Sequence, residues 1–500
     1  MDNNKQMSRL RLAILPVADH ELGKFLPMCA MIFLTIFAYS LLRAFKDTII
    51  VQAPGAGALL LPFLKTYAVF PSSLLAAIGY MRLRKNVDAG KAYYVCVSLF
   101  IAFFAVFALI LSPYRDALHF SPEWLVGMQK AYPPFSFFFA IVAYWSYALF
   151  YVASELWGTY MLSVLFWQFA NETTSPDQSK RYYPLYVLAG NLALLALFPV
   201  INHISNNAQS DVQEVCGLVA LCGFLLMYFF SVAQAAQRKE AREEKIVKKK
   251  KKKLTMMESF AVLFRSEYVG YIAILVLSYG SIITLVELIW KAQASQLYTT
   301  KQSWLQFQGY YTLLTGIATI VMNYLSKGVI RQFGWLTGAI ITPIAAGVLS
   351  CMFFIFILGQ SSFAAIGMFL DIAPMTFAVW VGTYAVLLTK GSKYSFFDPT
   401  KEMAFIPLEP DLKINGKAAV DGVGGRLGKS LGSLISSTLI ILYSTTGSVA
   451  KAMDIAPILF VVVVVLTVAW FFSVIRLSVL YNKESKRLVD EQAAAATGAA

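Results

Sequence analysis

The chain has 500 residues, of which 58% are hydrophobic, 15% aromatic and only 14% charged, and its mean hydropathy is +0.62. Because charged residues make up roughly a quarter of a typical soluble chain, this composition excludes a soluble globular protein and indicates a membrane protein. The net charge of +14 does not indicate nucleic-acid binding, since Lys and Arg lie in short segments between apolar stretches, as expected for loops under the positive-inside rule.

The first segment, residues 1–24, is polar and includes acidic residues. It lacks the apolar core of a signal peptide, and its acidic residues are untypical of an organelle transit peptide. We therefore expect it to be retained as a cytoplasmic N-terminal segment.

Twelve stretches approach the ~20 mostly apolar residues that a spanning helix needs: 25–42, 59–81, 92–112, 136–170 (one long or broken span), 183–202, 215–233, 267–290, 308–326, 335–358, 363–389, 430–446 and 454–476. An even number of spans places both termini on one side of the membrane. Basic residues follow the second and fourth spans, whereas the loops after the fifth and ninth contain none. Both termini are therefore predicted to be cytoplasmic.

The most basic segment divides these spans into two sets of six. It reads RKEAREEKIVKKKKKKL at 238–254, within a predicted cytoplasmic linker 237–256 that is expected to lie in solvent near anionic lipid. The linker separates a half at 25–236 from a half at 257–480, which is followed by a tail at 481–500. The sequence thus predicts an all-α, major-facilitator-like protein whose substrate binds between the halves. A channel or a membrane enzyme remains an alternative, although no nucleophile or metal constellation is evident.

Ionisable residues inside the predicted spans are candidate site residues, because each costs about 2.5 kcal/mol or more unless it has a partner or faces a polar cavity. Within spans lie Lys65, Glu155, Glu287 and Asp371, the last beside a proline that offers a structural explanation. At predicted span ends lie Arg43, Lys46 and Lys291 on the outer side, and Lys390, Arg426 and Lys429 on the inner side. Span-end cations also reach lipid headgroups without binding a substrate.

Two patterns in this set point to its role. Basic residues outnumber acidic ones, which suits a polyanionic substrate. The first span ends in LLRAFKD and the seventh in LVELIWK, so equivalent helices of the two halves present charges at equivalent ends. We expect these charges to face each other across the transport pathway.

The stretch DGVGGRLGKS at 421–430 resembles a nucleotide-binding P-loop, but Val423 stands where such a loop requires glycine. Gly424, Gly428 and Gly432 recur every four residues, which instead predicts one helix face that a neighbouring helix approaches closely. The five cysteines and three histidines show no ligand spacing, so neither a metal nor a cofactor is expected.

The chain resembles the ATP/ADP translocases, the nucleotide transporters of obligate intracellular bacteria and plastids. The resemblance extends over nearly the whole length and is most specific in these segments: LLRAFKDTIIV, FLKTYAVFPSS, SELWGTYMLSVLFWQFANETT, YPLYVLAGNLAL, LVELIWK, FGWLTGAIITP, KGSKYSFFDPTKEMAFIPLEPDLKINGKAAVD and GGRLGKS. It implies a monomeric, non-enzymatic nucleotide transporter of a bacterial inner membrane. It also implies phosphate binding by Lys46 and Lys429, with Glu155 and Glu287 serving substrate selection or the switch between states.

Two departures from the family pattern bear on the substrate. Ala385 and Val386 replace a polar pair in YAVLLTK, and Leu431 replaces a glycine after Lys429. Exchange of external ATP for internal ADP is the leading interpretation. Proton-coupled uptake of nucleoside triphosphates, with Glu155 or Glu287 taking up the proton, is the alternative, and the base preference stays open.

Overall fold

The computed structural model describes residues 17–18, 21–207, 211–243, 266–360, 362, 373–409, 412–413, 416–417, 420, 424–444 and 448–497. Its regular structure is helical. The first half contains α1 Leu22–Val51, α2 Leu60–Asn86, α3 Ala89–Leu111, α4 Pro133–Ala143, α5 Trp145–Thr173, α6 Pro176–Asn206 and α7 Asp211–Glu243. The second half contains α8 Glu267–Leu297, α9 Lys301–Leu358, α10 Pro374–Ser392, α11 Gly425–Tyr443 and α12 Ala452–Thr497. Two short helices, Arg115–Leu118 and Pro122–Ala131, lie between α3 and α4.

Within the described ranges, nine helices are long and apolar enough to cross a membrane, and α4 and α11 are shorter apolar helices. Helix α9 counts once although it covers the predicted eighth and ninth spans. It bends at Gly334, whose φ of 80° is a left-handed conformation that glycine adopts without strain. The predicted fourth span is broken, since α4 ends at Ala143 and α5 begins at Trp145.

The number twelve stays a prediction. The tenth predicted span, 363–389, begins in residues outside the described ranges, as does its Asp371. Most of the predicted linker 237–256 also lies outside them.

The buried apolar residues form two clusters that reflect the two halves. Among the described residues, one apolar cluster consists of first-half residues together with Leu305 of α9 from the other half. The second cluster contains the second half together with the end of α1, the start of α2, and α4 with the start of α5. The halves therefore share an apolar core at one end of the bundle.

We call this the closed end. It is where the last residues of α1, α6 and α8 and the first residues of α9 meet, as shown by a hydrogen bond of 3.3 Å from Gln52 to the Tyr298 carbonyl. There Gln302 of α9 also donates to Asn206 of α6 at 3.0 Å. At the opposite end, Arg181 of α6 donates twice to Glu21 before α1, at 2.7 and 2.8 Å, so this contact stays within the first half.

The predicted glycine face of α11 is confirmed at two positions. A Cβ on Gly428 would lie 3.0 Å from the Leu277 carbonyl oxygen of α8, and one on Gly432 would lie 3.0 Å from the Ser281 carbonyl oxygen. Ser281 donates a hydrogen bond of 2.9 Å to the Gly428 carbonyl. The absence of side chains thus lets α11 pack directly on the backbone of α8.

Candidate functional site

Charged residues of both halves meet in one group, which we call the cluster: Arg43, Lys46, Asp47, Glu155, Glu287, Lys291 and Lys390. They lie inside helices rather than at helix ends. Helix α1 continues to Val51, nine residues beyond the predicted end at 42, so Arg43 and Lys46 are interior positions. A hydropathy pattern stops at the first charges, whereas the helix continues because those charges have partners inside the protein. The structure shows Arg43 and Lys46 paired with carboxylates of the protein, rather than only reaching lipid headgroups.

The predicted position of Lys390 at an inner span end is wrong. Helix α10 continues without a break through the helical segments Lys393–Phe397 and Asp398–Ala404, so Lys390 lies well inside a longer helical stretch. It contacts the Glu287 carboxylate and is buried. Lys390 therefore joins the same cluster as Arg43.

The first group of ion pairs is centred on Lys46. Its Nζ donates to Asp47 Oδ1 at 2.8 Å and lies 3.0 Å from Glu155 Oε1 of α5. The ammonium also lies 3.7 Å from the centre of the Tyr151 ring, a cation–π contact. The second oxygen of Asp47 accepts a hydrogen bond of 2.6 Å from Lys291 of α8. This group therefore joins α1 and α5 of the first half to α8 of the second.

The second group is centred on Glu287 of α8. Its Oε1 accepts a hydrogen bond of 3.0 Å from Arg43 of α1 and is also in contact with Lys390 of α10. Lys390 donates in turn to the hydroxyl of Tyr311 on α9. The expectation that charges of the first and seventh spans face each other is confirmed by the Arg43–Glu287 and Asp47–Lys291 pairs.

Local helix geometry brings α5 close to α1 beside this cluster. A Cβ on Gly158 would lie 2.2 Å from the Tyr39 ring, so only glycine allows this approach one turn after Glu155. A π-helical stretch, Gly158–Phe166, begins at that glycine. Another π-helical stretch, Leu64–Val69, contains Lys65, and a third follows Lys390 at Lys393–Phe397. Short π-helical segments inside α-helices are frequent at functional sites.

Lys65 of α2 lines a small cavity beside the cluster. The other lining residues are Leu61, Pro62, Thr284, Glu287, Leu288, Lys291, Ser433 and Ser436. Lys65 pairs with no carboxylate in the part of the chain that the structure describes. The buried hydroxyl of Ser433, one turn after Lys429, has no hydrogen-bond partner there. The cavity thus offers an ammonium and a hydroxyl that a ligand could use.

Lys429 of α11 is exposed, and no ion pair joins it to the described residues. It is one of the cations that act electrostatically on Glu155, together with Lys46 and Lys65. The side chain of Arg426 falls outside what the structure describes, so its predicted role is untested.

The cluster carries an excess of positive charge. Among the described residues, Arg43, Lys46, Lys65, Lys291 and Lys390 are five cations, and the carboxylates among them are the three of Asp47, Glu155 and Glu287, which leaves two positive charges uncompensated. The exposed Lys429 adds a further cation beside the cluster. Uncompensated charge in a protein interior is costly, so such a site favours an anionic ligand. Lysines and arginines are also the side chains that bind phosphate oxygens best.

Asp47 bridges two lysines of the cluster, although it was not among the candidate residues predicted from the sequence. The motif LLRAFKD contains a feature that could have identified Asp47, because this acid directly follows Lys46 and stands four residues after Arg43. Only the position of α8 shows why that acid matters.

Comparison with known proteins gives two kinds of likeness. The sequence model of a family described as TLC ATP/ADP transporter matches residues 1–481. ADP,ATP carrier protein 1 of Rickettsia bellii is 38% identical, with 98% of this chain and 98% of that protein covered. ADP,ATP carrier protein 1 of Chlamydia trachomatis is 36% identical, with 98% of this chain and 95% of that protein covered.

Two solved structures have a similar fold at low sequence identity. The nucleoside transporter NupG matches with a TM-score of 0.53 and 13% identity, covering 90% of this chain and 98% of that chain. A bacterial homologue of the iron transporter ferroportin in an inward-facing state matches with a TM-score of 0.53 and 14% identity, covering 94% of this chain and 100% of that chain. The predicted major-facilitator-like fold is confirmed, and these two likenesses concern the fold alone.

Proposed function

Because the chain belongs to the TLC ATP/ADP transporter family, we propose that it is a membrane carrier that exchanges external ATP for internal ADP by alternating access. Its relatives from Rickettsia and Chlamydia are named ADP,ATP carrier proteins. The observation that carries the proposal is the excess of positive charge in a cluster contributed by both halves. A nucleotide with several ionised phosphates supplies the missing negative charge.

Each half contributes cations to this nucleotide site. Lys46 and Lys65 come from the first half, and Lys291 and Lys429 from the second. An alternating-access carrier needs such contributions because the substrate stays between the halves while they change their relative position. Lysine suits this task, since its compact charge on a flexible stem follows a phosphate through the movement. Arg43 and Arg426 are the guanidinium groups that we assign to the same substrate.

Glu155 and Glu287 hold these cations in place in the absence of nucleotide. Glu155 contacts Lys46, and Glu287 contacts Arg43 and Lys390. Each carboxylate is thus balanced by a cation rather than by a proton, which favours exchange over proton-coupled uptake. We place the carrier in the inner membrane of an obligate intracellular bacterium, as a monomer with both termini in the cytoplasm, and expect no nucleotide hydrolysis.

Uptake of radiolabelled nucleotide into liposomes containing the purified carrier tests the proposal. Exchange predicts rapid uptake of ATP when the liposomes contain ADP and slow uptake when they contain none. Proton-coupled uptake predicts entry into nucleotide-free liposomes that depends on an imposed pH gradient and stops when an uncoupler is added. Release of inorganic phosphate in step with uptake would contradict the expectation that the protein is not an enzyme.

A further inference from the structure

The carboxylate of Asp47 bridges the two halves of the protein at the candidate site. One oxygen accepts a hydrogen bond from Lys46 of α1 at 2.8 Å, and the other accepts one from Lys291 of α8 at 2.6 Å. The side chain of Asp47 is 2% exposed, and both lysines are also buried. Asp47 is therefore a buried anion whose two oxygens are each used by a different half.

A phosphate group would make the same kind of contact. Carboxylate and phosphate oxygens both accept short, charge-assisted hydrogen bonds from ammonium groups. A nucleotide phosphate that binds Lys291 would therefore compete with the Asp47 carboxylate for this donor.

The Asp47–Lys291 pair also belongs to the contact that must open during transport. The hydrogen bonds and ion pairs that join the halves over the described ranges include the following, which lie between the cluster and the closed end: Arg43–Glu287, Asp47–Lys291, Gln52–Tyr298, Asn206–Gln302, Asn206–Gln306 and Asp211–Lys301. Opening this end separates α1 from α8. Breaking a buried ion pair without replacing one partner leaves a buried charge uncompensated, so the empty carrier opens only with difficulty.

We propose that Asp47 couples the movement of the halves to the presence of nucleotide. In the empty carrier its carboxylate holds Lys46 and Lys291 together and keeps this end closed. In the loaded carrier, nucleotide phosphate takes the place of the carboxylate on Lys291 while Asp47 keeps its contact with Lys46 of the same helix, so the halves separate without leaving a buried lysine or carboxylate uncompensated. Only the loaded carrier crosses between its two states, which makes transport an exchange. This inference rests on the proposed function.

The matched variants are Asp47→Asn, Asp47→Glu and Glu21→Gln. Asparagine keeps the size of Asp47 but removes the charge, and glutamate keeps the charge. Glu21 is a suitable control because it is also a buried carboxylate in an ion pair, with Arg181 at 2.7 Å, but both partners belong to the first half.

Transport is measured in liposomes with and without internal ADP. For Asp47→Asn we expect uptake of labelled ATP into nucleotide-free liposomes to rise about tenfold or more over the parent. Uptake by Asp47→Glu and by Glu21→Gln should keep the parent's dependence on internal ADP. Strict dependence on internal ADP in Asp47→Asn would overturn the inference.

A second measurement reports the closed end without relying on transport. Asn206 and Gln302 are exposed and in contact across the halves, so a variant carrying Asn206→Cys and Gln302→Cys can be joined by a short bis-maleimide, with each single variant as control. We expect Asp47→Asn to lower the cross-linking yield of empty carrier, and ATP to lower it in the parent.

The two measurements together separate the possible failures. An unchanged cross-linking yield in Asp47→Asn would overturn the inference even if that variant had lost transport. If the parent moved no nucleotide, the proposed exchange function would fail. If Asp47→Asn lowered the cross-linking yield but ATP did not, the result would support the ion pair as the contact that keeps this end closed. It would refute the proposal that nucleotide phosphate competes with Asp47.

Discussion

Arg43 and Glu287 are 244 positions apart in the sequence, yet the Arg43 guanidinium donates a hydrogen bond of 3.0 Å to the Glu287 carboxylate. The same carboxylate oxygen contacts Lys390, so helices α1, α8 and α10 meet at one acidic side chain. Arg43 belongs to the first half and the other two residues to the second. Under the alternating access that we propose, movement of the halves therefore changes the surroundings of Glu287.

We expect Glu287→Gln to lower ATP/ADP exchange by at least about tenfold, because it leaves Arg43 and Lys390 without a counter-charge, which costs about 3–5 kcal/mol for a buried pair. Glu155→Gln should also lower exchange, because it removes the carboxylate that holds Lys46 in position within the first half. The measurement is exchange and equilibrium nucleotide binding at matched expression. Parental exchange rates in both variants would show that neither carboxylate serves transport.

The second prediction concerns Lys429, which is exposed on α11. Lys429→Ala should abolish uptake of nucleoside di- and triphosphates, because it removes a cation that no described carboxylate balances. Stability should change by less than about 0.5 kcal/mol, as is usual for exposed positions. Lys429→Arg should restore uptake poorly, since the larger planar guanidinium must fit beside the close helix contact made at Gly428 and Gly432.

The control for Lys429→Ala is Lys327→Ala, which removes an exposed lysine of α9 outside the cluster. Nucleotide binding and uptake are measured for both variants after thermal unfolding has shown that they are folded. Near-parental uptake by Lys429→Ala would eliminate its role as a phosphate ligand.

The third prediction addresses the close contact of α8 and α11. Gly428→Ala places a Cβ 3.0 Å from the Leu277 carbonyl oxygen and 3.2 Å from the Gly280 Cα, and backbone atoms cannot move aside as side chains do. We expect a loss of about 1–3 kcal/mol in stability, as for other overpacked contacts. Gly425→Ala is the matched control, because nothing lies within 4 Å of its Cβ position. Thermal unfolding in detergent compares them, and equal midpoints would refute the proposed tight contact.

The fourth prediction is a pH dependence outside the membrane-spanning segments. Burial alone would raise the pKa of Glu21, but hydrogen bonds from Arg181, the Ala18 N–H and Gln178 lower it from 4.5 to about 2. A carboxylate whose pKa is lower in the folded state stabilises the fold above its unfolded pKa and loses this contribution as the pH falls. The stability difference between the parent and Glu21→Gln should therefore shrink from pH 5 towards pH 2. Thermal midpoints measured across this range test it, and a constant difference would contradict it.

The sequence by itself was sufficient for the class of protein, the family and most of the charged residues of the cluster. Long apolar stretches with few charges require a membrane environment, and the motifs around Lys46, Glu155, Glu287 and Lys429 are local features that the chain carries wherever it folds. The repeat of Gly424, Gly428 and Gly432 likewise predicted a close helix contact, because a spacing of four residues defines one face of a helix.

The tertiary structure alone decided which charges are partners. Hydropathy placed Lys390 at a span end, but α10 continues helically beyond it and brings it to Glu287. Asp47 was not selected from the sequence at all, and only the packing of α8 against α1 shows that Lys291 lies 2.6 Å from its second oxygen. Periodicity and composition report which face of a helix avoids lipid, whereas the partner of a buried charge depends on how helices hundreds of residues apart pack against each other.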